Sequence, residues 1–402
     1  MPKSLLSQCF NAKNVLLIIN GSELFPTFVV HMAGIYIHIP FCKSRCIYCD
    51  FFSTTSLGER TRYVERLLNE LSERRDFLSG EPIDTIYFGG GTPSQLPVAD
   101  VERILAHIYY IYNVRANAEV TLEGNPDDLT PDFMRCLRQM GINRLSMGVQ
   151  SFDDDRLRFL RRRHTASQAF RAVADAQDAG FDSISIDLMF GFPGQTLDEW
   201  KSDVHTALSL GVQHLSAYSL MYEEGTPLTQ MLERGQFQEI DDELSRQMYE
   251  HLHDAAVDAG FQHYEISNFA LPGHVSRHNS GYWHGVPYLG VGAGAHSYDG
   301  HNRYYHTDSL SEYLNDASLV KEELTDDERY DEFVFTGLRT ADGIRTDELA
   351  RRFGEARLQY CLKNARPHLA EGLLVLQGDS LRLSRKGLFV SNDVMSDLMW
   401  IE

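Results

Sequence analysis

Three things are scarce in this 402-residue chain: cysteine, basic charge and long apolar stretches. Six cysteines are too few and too scattered for a disulfide-stapled scaffold. Lysine and arginine number 37 against 57 aspartates and glutamates, a net of −20. Such an acidic surplus argues against a nucleic-acid partner, which needs a basic face for phosphates. No apolar run approaches the ~18–20 residues of a membrane-spanning helix, so no transmembrane segment is expected. The 43% of hydrophobic residues nevertheless supplies a real core and excludes disorder. Length alone sets a prior of roughly two to three domains. A soluble cytoplasmic protein is expected, and the cysteine spacing becomes the first thing to read.

Residues 1–33 look like a doubtful extension. Their only charges are Lys3, Lys13 and Glu23, and their apolar stretch, Val15 to Ile19, is short for a secretory signal. Asn20-Gly21 follows as a turn signal, where a cleavage site would carry small residues. Met32 stands two residues before a strand pattern, so native translation is expected to start there rather than at Met1. A targeting segment and an edge strand are the alternatives.

From residue 34 onward short β-rich runs alternate with helical periodicity. The expected strands are 34–40, 84–90, 119–125, 144–151, 183–191 and 214–220, each ending in Gly, Pro, Asn, Ser or Leu. Between them apolar residues recur at helical spacing, as in Tyr63, Leu67, Leu68 and Leu71. Repeated strand-then-helix units predict a parallel sheet with right-handed crossovers. Six units in about 180 residues suit a partial (β/α)6 barrel over 34–240 better than the closed eightfold form, which needs ~250 residues. Active residues then belong at the C-terminal ends of the strands. After a helix at 239–260, the stretch 261–306 holds seven of the 16 histidines among glycines and aromatics. It is read as a loop-rich, ligand-like part of a segment spanning 241–325. Helical periodicity and a hairpin at Gly378-Asp379 predict a small winged-helix-like domain over 326–402. Between Lys321 and Glu402 acidic residues outnumber basic ones by 16 to 12, which argues against DNA as the partner of that domain.

Cys42, Cys46 and Cys49 form C-x3-C-x2-C directly after the first strand, at the end the barrel rule singles out. Three thiolates can hold three irons of a cubane and leave the fourth iron open. Zinc is the rival, with His38 or Asp50 as a fourth ligand, although the spacing is not a common zinc pattern. Three inert core cysteines are the remaining reading. Cys136 and Cys361 read as ordinary thiols.

Tyr36-Ile-His-Ile-Pro-Phe-Cys42 followed by Cys46-Ile-Tyr48-Cys49 resembles the radical S-adenosylmethionine (SAM) superfamily, and within it the coproporphyrinogen III oxidase-like branch. The resemblance covers essentially residues 34–396. It implies a [4Fe-4S] cluster on Cys42, Cys46 and Cys49, whose open iron chelates SAM and whose reduction cleaves it to a 5′-deoxyadenosyl radical. It also implies a reductant such as flavodoxin or ferredoxin. Tyr36 and Tyr48 are then expected beside SAM, the bland alternative for Tyr48 being a core aromatic. Gly90, Gly91 and Thr92, in Phe88-Gly-Gly-Gly-Thr-Pro-Ser94, carry over as contacts to its methionyl end. Glu123 at the third strand end can accept ribose hydroxyls or the SAM ammonium, or can simply cap a turn. Gln150 ends the fourth strand. Arg162 is expected at the SAM carboxylate, unless the run Arg161-Arg162-Arg163 is only a solvated helix face. Asp187 inside the fifth strand needs a polar partner, in relatives the ribose.

Two sub-branches compete. The anaerobic coproporphyrinogen oxidases carry a further cysteine two residues after the third cluster cysteine, where this chain has Phe51. Arg277-His278-Asn279-Ser280-Gly281-Tyr282-Trp283 contains H-N-x-x-Y-W, which looks like the mark of HemW-type haem chaperones. That resemblance implies haem as ligand, His278 as its axial contact and transfer to an acceptor protein, with His274, His284 and His296 as reserve ligands. Peripheral membrane association would follow from a membrane-bound acceptor. The alternatives are an oxygen-independent coproporphyrinogen III oxidase and a radical SAM enzyme on another substrate; Phe51 weighs against the first.

Overall fold

The computed structural model describes residues 33–316 and 318–401. The expectations for residues 1–31 and for Met32 lie outside the described residues.

Six parallel strands run in sequence order: β1 (Ala33–Ile39), β2 (Ile83–Gly90), β3 (Val114–Gly124), β4 (Arg144–Gln150), β5 (Ser183–Phe190) and β6 (His214–Ser219). Each helical crossover returns the chain to the same side of the next strand, so neighbours in sequence pair in space. The strands alternate strictly in chemistry. Ile35, Ile37 and Ile39 of β1, Ile86 and Phe88 of β2, and Ile184, Ile186 and Leu188 of β5 point outward into one apolar layer with the crossover helices. Each such fully buried side chain contributes about 1.5–3 kcal/mol. The intervening positions are polar: Tyr36 and His38, Thr85 and Tyr87, Thr121 and Glu123, Arg144 and Ser146, Ser185 and Asp187, His214 and Ser216. A parallel sheet buried on both faces would be apolar throughout. The alternation here means that the concave side encloses a polar interior.

Among the described residues the sheet extends to 12 strands. At one edge the short β7 (Gln262–Glu265) and β8 (Asn268–Ala270) join β6. At the other, β9 (Tyr288–Val291) pairs parallel with β1 and leads into β10 (His296–Tyr298), β11 (Asn302–Tyr305) and β12 (Val320–Glu323). About half of the histidine-rich stretch, expected to be loop-rich, is thus strand and helix, and the rest is loop and turn. A buried carboxylate fixes it to the barrel: Glu70 accepts from Arg74 (3.1 Å), His306 (3.1 Å), Tyr313 (2.8 Å) and the Gly292 amide (3.0 Å).

The C-terminal part has its own sheet, β13 (Ile344–Arg345), β14 (Leu374–Gln377) and β15 (Ser380–Leu383), and a separate apolar core including Tyr330, Leu349, Cys361 and Leu381. Its order is helix 326–338, strand, helices 346–353 and 355–370, hairpin, as a winged helix requires. Gly378, at φ 60°, supplies the left-handed first position of the two-residue turn. Two further helices, 385–389 and 391–398, follow the hairpin. Backbone bonds from Ile266 to Arg339 (3.1 Å) and from Ala341 to Tyr264 (2.9 Å) seat this unit against the β7 edge. Among the described residues no helix is long and apolar enough to cross a membrane.

Candidate functional site

The loop after β1 carries the three cysteines over the C-terminal end of the barrel. The Cys42 amide donates to Thr54 O (2.9 Å), the Ile47 amide to Leu160 O (3.3 Å) and the Leu228 amide to Ile47 O (3.0 Å). Cys42 is buried and its Sγ lies 3.2 Å from Thr92 Oγ1. Burial pushes the Cys42 thiol up, and that of Cys49 to about 11, so metal binding here has to expel protons. Among the described residues no three His, Cys, Asp or Glu side chains gather as one ion would need. A cubane takes each thiolate on a different iron and does not ask for that convergence. His38, a candidate fourth zinc ligand, instead lies 3.2 Å from Tyr36 Oη through Nδ1 and 3.1 Å from Phe52 O through Nε2.

The other predicted residues ring the same mouth. Gly91 follows β2 so closely that a Cβ would lie 2.8 Å from the Pro40 carbonyl, so only glycine fits. Tyr87 donates to Glu123 (2.7 Å), and burial raises the Glu123 carboxyl to about 7. Burial likewise raises Asp187 to about 6 against the opposing pull of Ser216 and Arg144. Gln150 closes β4 on a bulge at φ 71°. Of the arginine run, Arg161 faces solvent, Arg163 pairs with Asp127 (2.6 Å) and Asp128 (2.9 Å), and Arg162 turns into the site. Arg162 donates to Asn125, to Gly148 O and, at 3.5 Å, to Cys46 Sγ, while its buried Nε has no partner among the described residues. Tyr48 is partly buried against the cluster of Ile47, Leu160 and Phe192. Three thiols, a buried guanidinium with a spare donor and two interior carboxylates form a donor set suited to a cluster and a zwitterionic ligand.

His278 lies at the opposite end. Its helix, Arg277–Trp283, packs across the N-terminal ends of β2 and β3, where Glu119 accepts from the amides of Arg277 (2.8 Å) and His278 (3.0 Å). The ring is 3% exposed and stacks on Tyr87 at 5.1 Å. Nδ1 meets Thr85 Oγ1 at 2.7 Å and Nε2 meets Tyr282 Oη at 3.0 Å. Both ring nitrogens are therefore hydrogen-bonded within the protein.

The radical SAM superfamily model matches residues 36–207, and the HemN C-terminal domain model matches 324–390. The chain is 34% identical to the heme chaperone HemW of Lactococcus lactis, over 90% of this chain and 96% of that one. It is 35% identical to the heme chaperone HemW of Bacillus subtilis, over 90% and 98%. The chain belongs to the HemW family of radical SAM proteins. A mouse relative of this HemW-family chain, radical S-adenosyl methionine domain-containing protein 1, mitochondrial, is 34% identical over 91% and 87%. Coproporphyrinogen III oxidase (HemN) from Escherichia coli shares the HemW-family fold, with a TM-score of 0.80 at 21% identity over 92% of this chain and 90% of that one. Membership of the radical SAM superfamily implies SAM and a [4Fe-4S] cluster.

Two residues of this HemW-family site escaped the sequence reading. Asp128 accepts from Lys43 in the cysteine loop (3.0 Å), from Ser94 (3.3 Å), from Gln95 and from Arg163, tying four segments of the mouth together. Its position just after Glu123-Gly-Asn-Pro was the available signal. Arg144 is 1% exposed, and among the described residues none of its three guanidinium nitrogens has a hydrogen-bond partner. Its charge is felt by Tyr87, Glu123, Asp187, His214 and His278. A charge on an otherwise polar-small interior face was the only hint.

Proposed function

We propose that this protein is a haem chaperone that binds haem and passes it to an acceptor protein, with SAM and a [4Fe-4S] cluster as resident cofactors. The observation that carries this reading is near-full-length likeness, at 34–35% identity, to relatives named heme chaperone HemW. Phe51, 44% exposed where the oxidase resemblance calls for a cysteine, supports it over porphyrinogen decarboxylation.

Cys42, Cys46 and Cys49 would hold the cluster, which when reduced supplies the electron for SAM cleavage. Thr92 positions the Cys42 sulfur, and Arg162 offers positive charge to Cys46 and to the SAM carboxylate. Gly90 and Gly91 keep the backbone close to the methionyl end. Glu123 and Asp187 accept from the ammonium and ribose hydroxyls. Gln150, Tyr36 and Tyr48 complete the enclosure. His278 could ligate haem only if Tyr282 released Nε2 and the ring left the barrel floor. On this reading 34–240 houses the cofactors, 241–325 contributes to haem handling, and 326–402 is a docking or lid unit. A flavodoxin- or ferredoxin-type reductant and cytoplasmic action, with contact at the membrane where the acceptor resides, belong to the same proposal.

The test is anaerobic reconstitution with iron and sulfide, followed by two assays on one sample. Stable haem binding, read from the absorption spectrum, is expected. Sustained formation of protoporphyrinogen from coproporphyrinogen without stable haem binding would overturn the reading in favour of the oxidase.

A further inference from the structure

Cys42 and Cys46 are linked by more than the short loop between them. Thr92 Oγ1 lies 3.2 Å from Cys42 Sγ and accepts from Asn125 Nδ2 at 3.4 Å. Asn125 Oδ1 in turn accepts from Arg162, whose Nη1 donates to Cys46 Sγ at 3.5 Å. These side chains form one continuous hydrogen-bonded chain from sulfur to sulfur, with Asn125 at its centre. Its members come from successive strand ends: the cysteines follow β1, Thr92 follows β2, Asn125 follows β3 and Arg162 lies beyond β4.

Chemistry fixes the direction of every bond. A guanidinium can only donate, so the Asn125 carbonyl oxygen faces Arg162 and its amide nitrogen faces Thr92. Thr92 Oγ1 accepts that amide proton, which leaves its own O–H for Cys42 Sγ. A thiolate can only accept, so both ends of the chain present a donor to sulfur. A carboxylate at position 125 would lack the donor for Thr92, and an aliphatic side chain would lack both partners.

The amide is held for this task. Pro126 disfavours a helical backbone at Asn125. The Asn125 backbone amide donates to Ser94 Oγ (3.3 Å), and its backbone carbonyl accepts from the Asp128 amide (3.0 Å). On the neighbouring strand, a Cβ at Gly148 would lie 3.0 Å from Arg162 Nη2 and push the guanidinium off the Asn125 oxygen.

We infer that Asn125 is a positioning residue that sets the reduction potential of the cluster, by aiming Thr92 at the Cys42 sulfur and Arg162 at the Cys46 sulfur. This role rests on the cofactor part of the proposed function and is independent of haem transfer. In the reduction by a flavodoxin- or ferredoxin-type donor, one electron passes from donor to cluster; no bond forms or breaks and no proton moves. The added negative charge is shared by the sulfurs, so donors aimed at them favour the reduced state and raise the potential.

The test is a redox titration of the reconstituted full-length protein, read from the electron paramagnetic resonance of the reduced cluster. Asn125→Leu keeps the volume and removes both bonds; Asn125→Ala removes them without the bulk. Both are expected to keep wild-type iron and sulfide content, with the equilibrium shifted about tenfold toward the oxidised cluster, a midpoint about 59 mV more negative. In a Thr92→Val background, Asn125→Leu should move the midpoint by less than it does alone, because one arm of the chain is already cut. A wild-type midpoint in both Asn125 variants, or shifts of Asn125→Leu and Thr92→Val that simply add, would overturn the inference. So would loss of the cluster in both Asn125 variants, which would make the residue one of assembly. If wild type itself loads no four-iron cluster, the cofactor reading fails, and this role with it.

Discussion

His278 and Thr85 meet at the N-terminal end of the barrel, Nδ1 to Oγ1 at 2.7 Å, just under Gly34, where a Cβ would come within 3.2 Å of both side chains. The pair is buried, so neither partner can turn to water for a substitute. Thr85→Val keeps the shape and removes the hydroxyl. It should lower stability by about 1–3 kcal/mol through the unsatisfied imidazole nitrogen. Urea unfolding at pH 7.5 measures this; an unchanged midpoint would mean that the contact is idle.

The same histidine has a pH signature. Burial lowers its pKa from 6.5 to about 3, so it stays neutral in the fold while the unfolded chain takes up a proton below 6.5. Its contribution is complete above pH 6.5 and drains away as the pH falls towards 3. Urea unfolding of wild type and His278→Gln across pH 4–7.5 should show the wild-type advantage shrinking by up to about 1.4 kcal/mol per pH unit below 6.5. A difference independent of pH would contradict the buried neutral ring.

Cys42→Ala should abolish reconstitution of a four-iron cluster, read as iron and sulfide per chain, whereas Cys136→Ala and Cys361→Ala should leave it intact. Wild-type iron content in Cys42→Ala would remove the first residue of the proposed ligand set.

SAM binding should weaken as the pH drops through about 7, because Glu123 loses the charge proposed to receive the ammonium. Isothermal titration of the reconstituted protein between pH 6 and 8.5 should show this slope in wild type and lose it in Glu123→Gln. Arg144→Met should move the midpoint upward, since the Arg144 charge is one of the forces holding the Glu123 carboxyl down. A midpoint unmoved by Arg144→Met would separate the two groups electrostatically.

The six barrel strands were legible because an apolar layer and a polar lumen impose opposite chemistry on alternate residues, as Ile35, Tyr36, Ile37 and His38 illustrate. The cysteine loop and the strand-end segments were legible because their residues lie within one short stretch of chain. The strands of the histidine-rich segment were not, since β9 to β12 are three or four residues long and exist only by pairing with a sheet formed elsewhere. Nor was the fate of His278, because burial under Gly34 and Thr85 is a contact across 193 residues of sequence. Arg144 and Asp128 were missed for the same reason: their importance lies in what surrounds them, and their own neighbours in sequence say little.

The barrel places its thiol loop and the helix bearing His278 at opposite ends of the same strands. Six residue steps along β2 and its exit loop take the chain from Thr85 to Gly91, about 20 Å at ~3.3 Å per step. Air reaches the thiol end first, since Cys46 and Cys49 are partly exposed. Oxygen damage there leaves the far end's hydrogen bonds untouched. A preparation bleached by oxidation thus becomes an informative sample: spent at its thiol end, it still carries the intact His278–Thr85 floor, so loss of colour and loss of fold are separable failures.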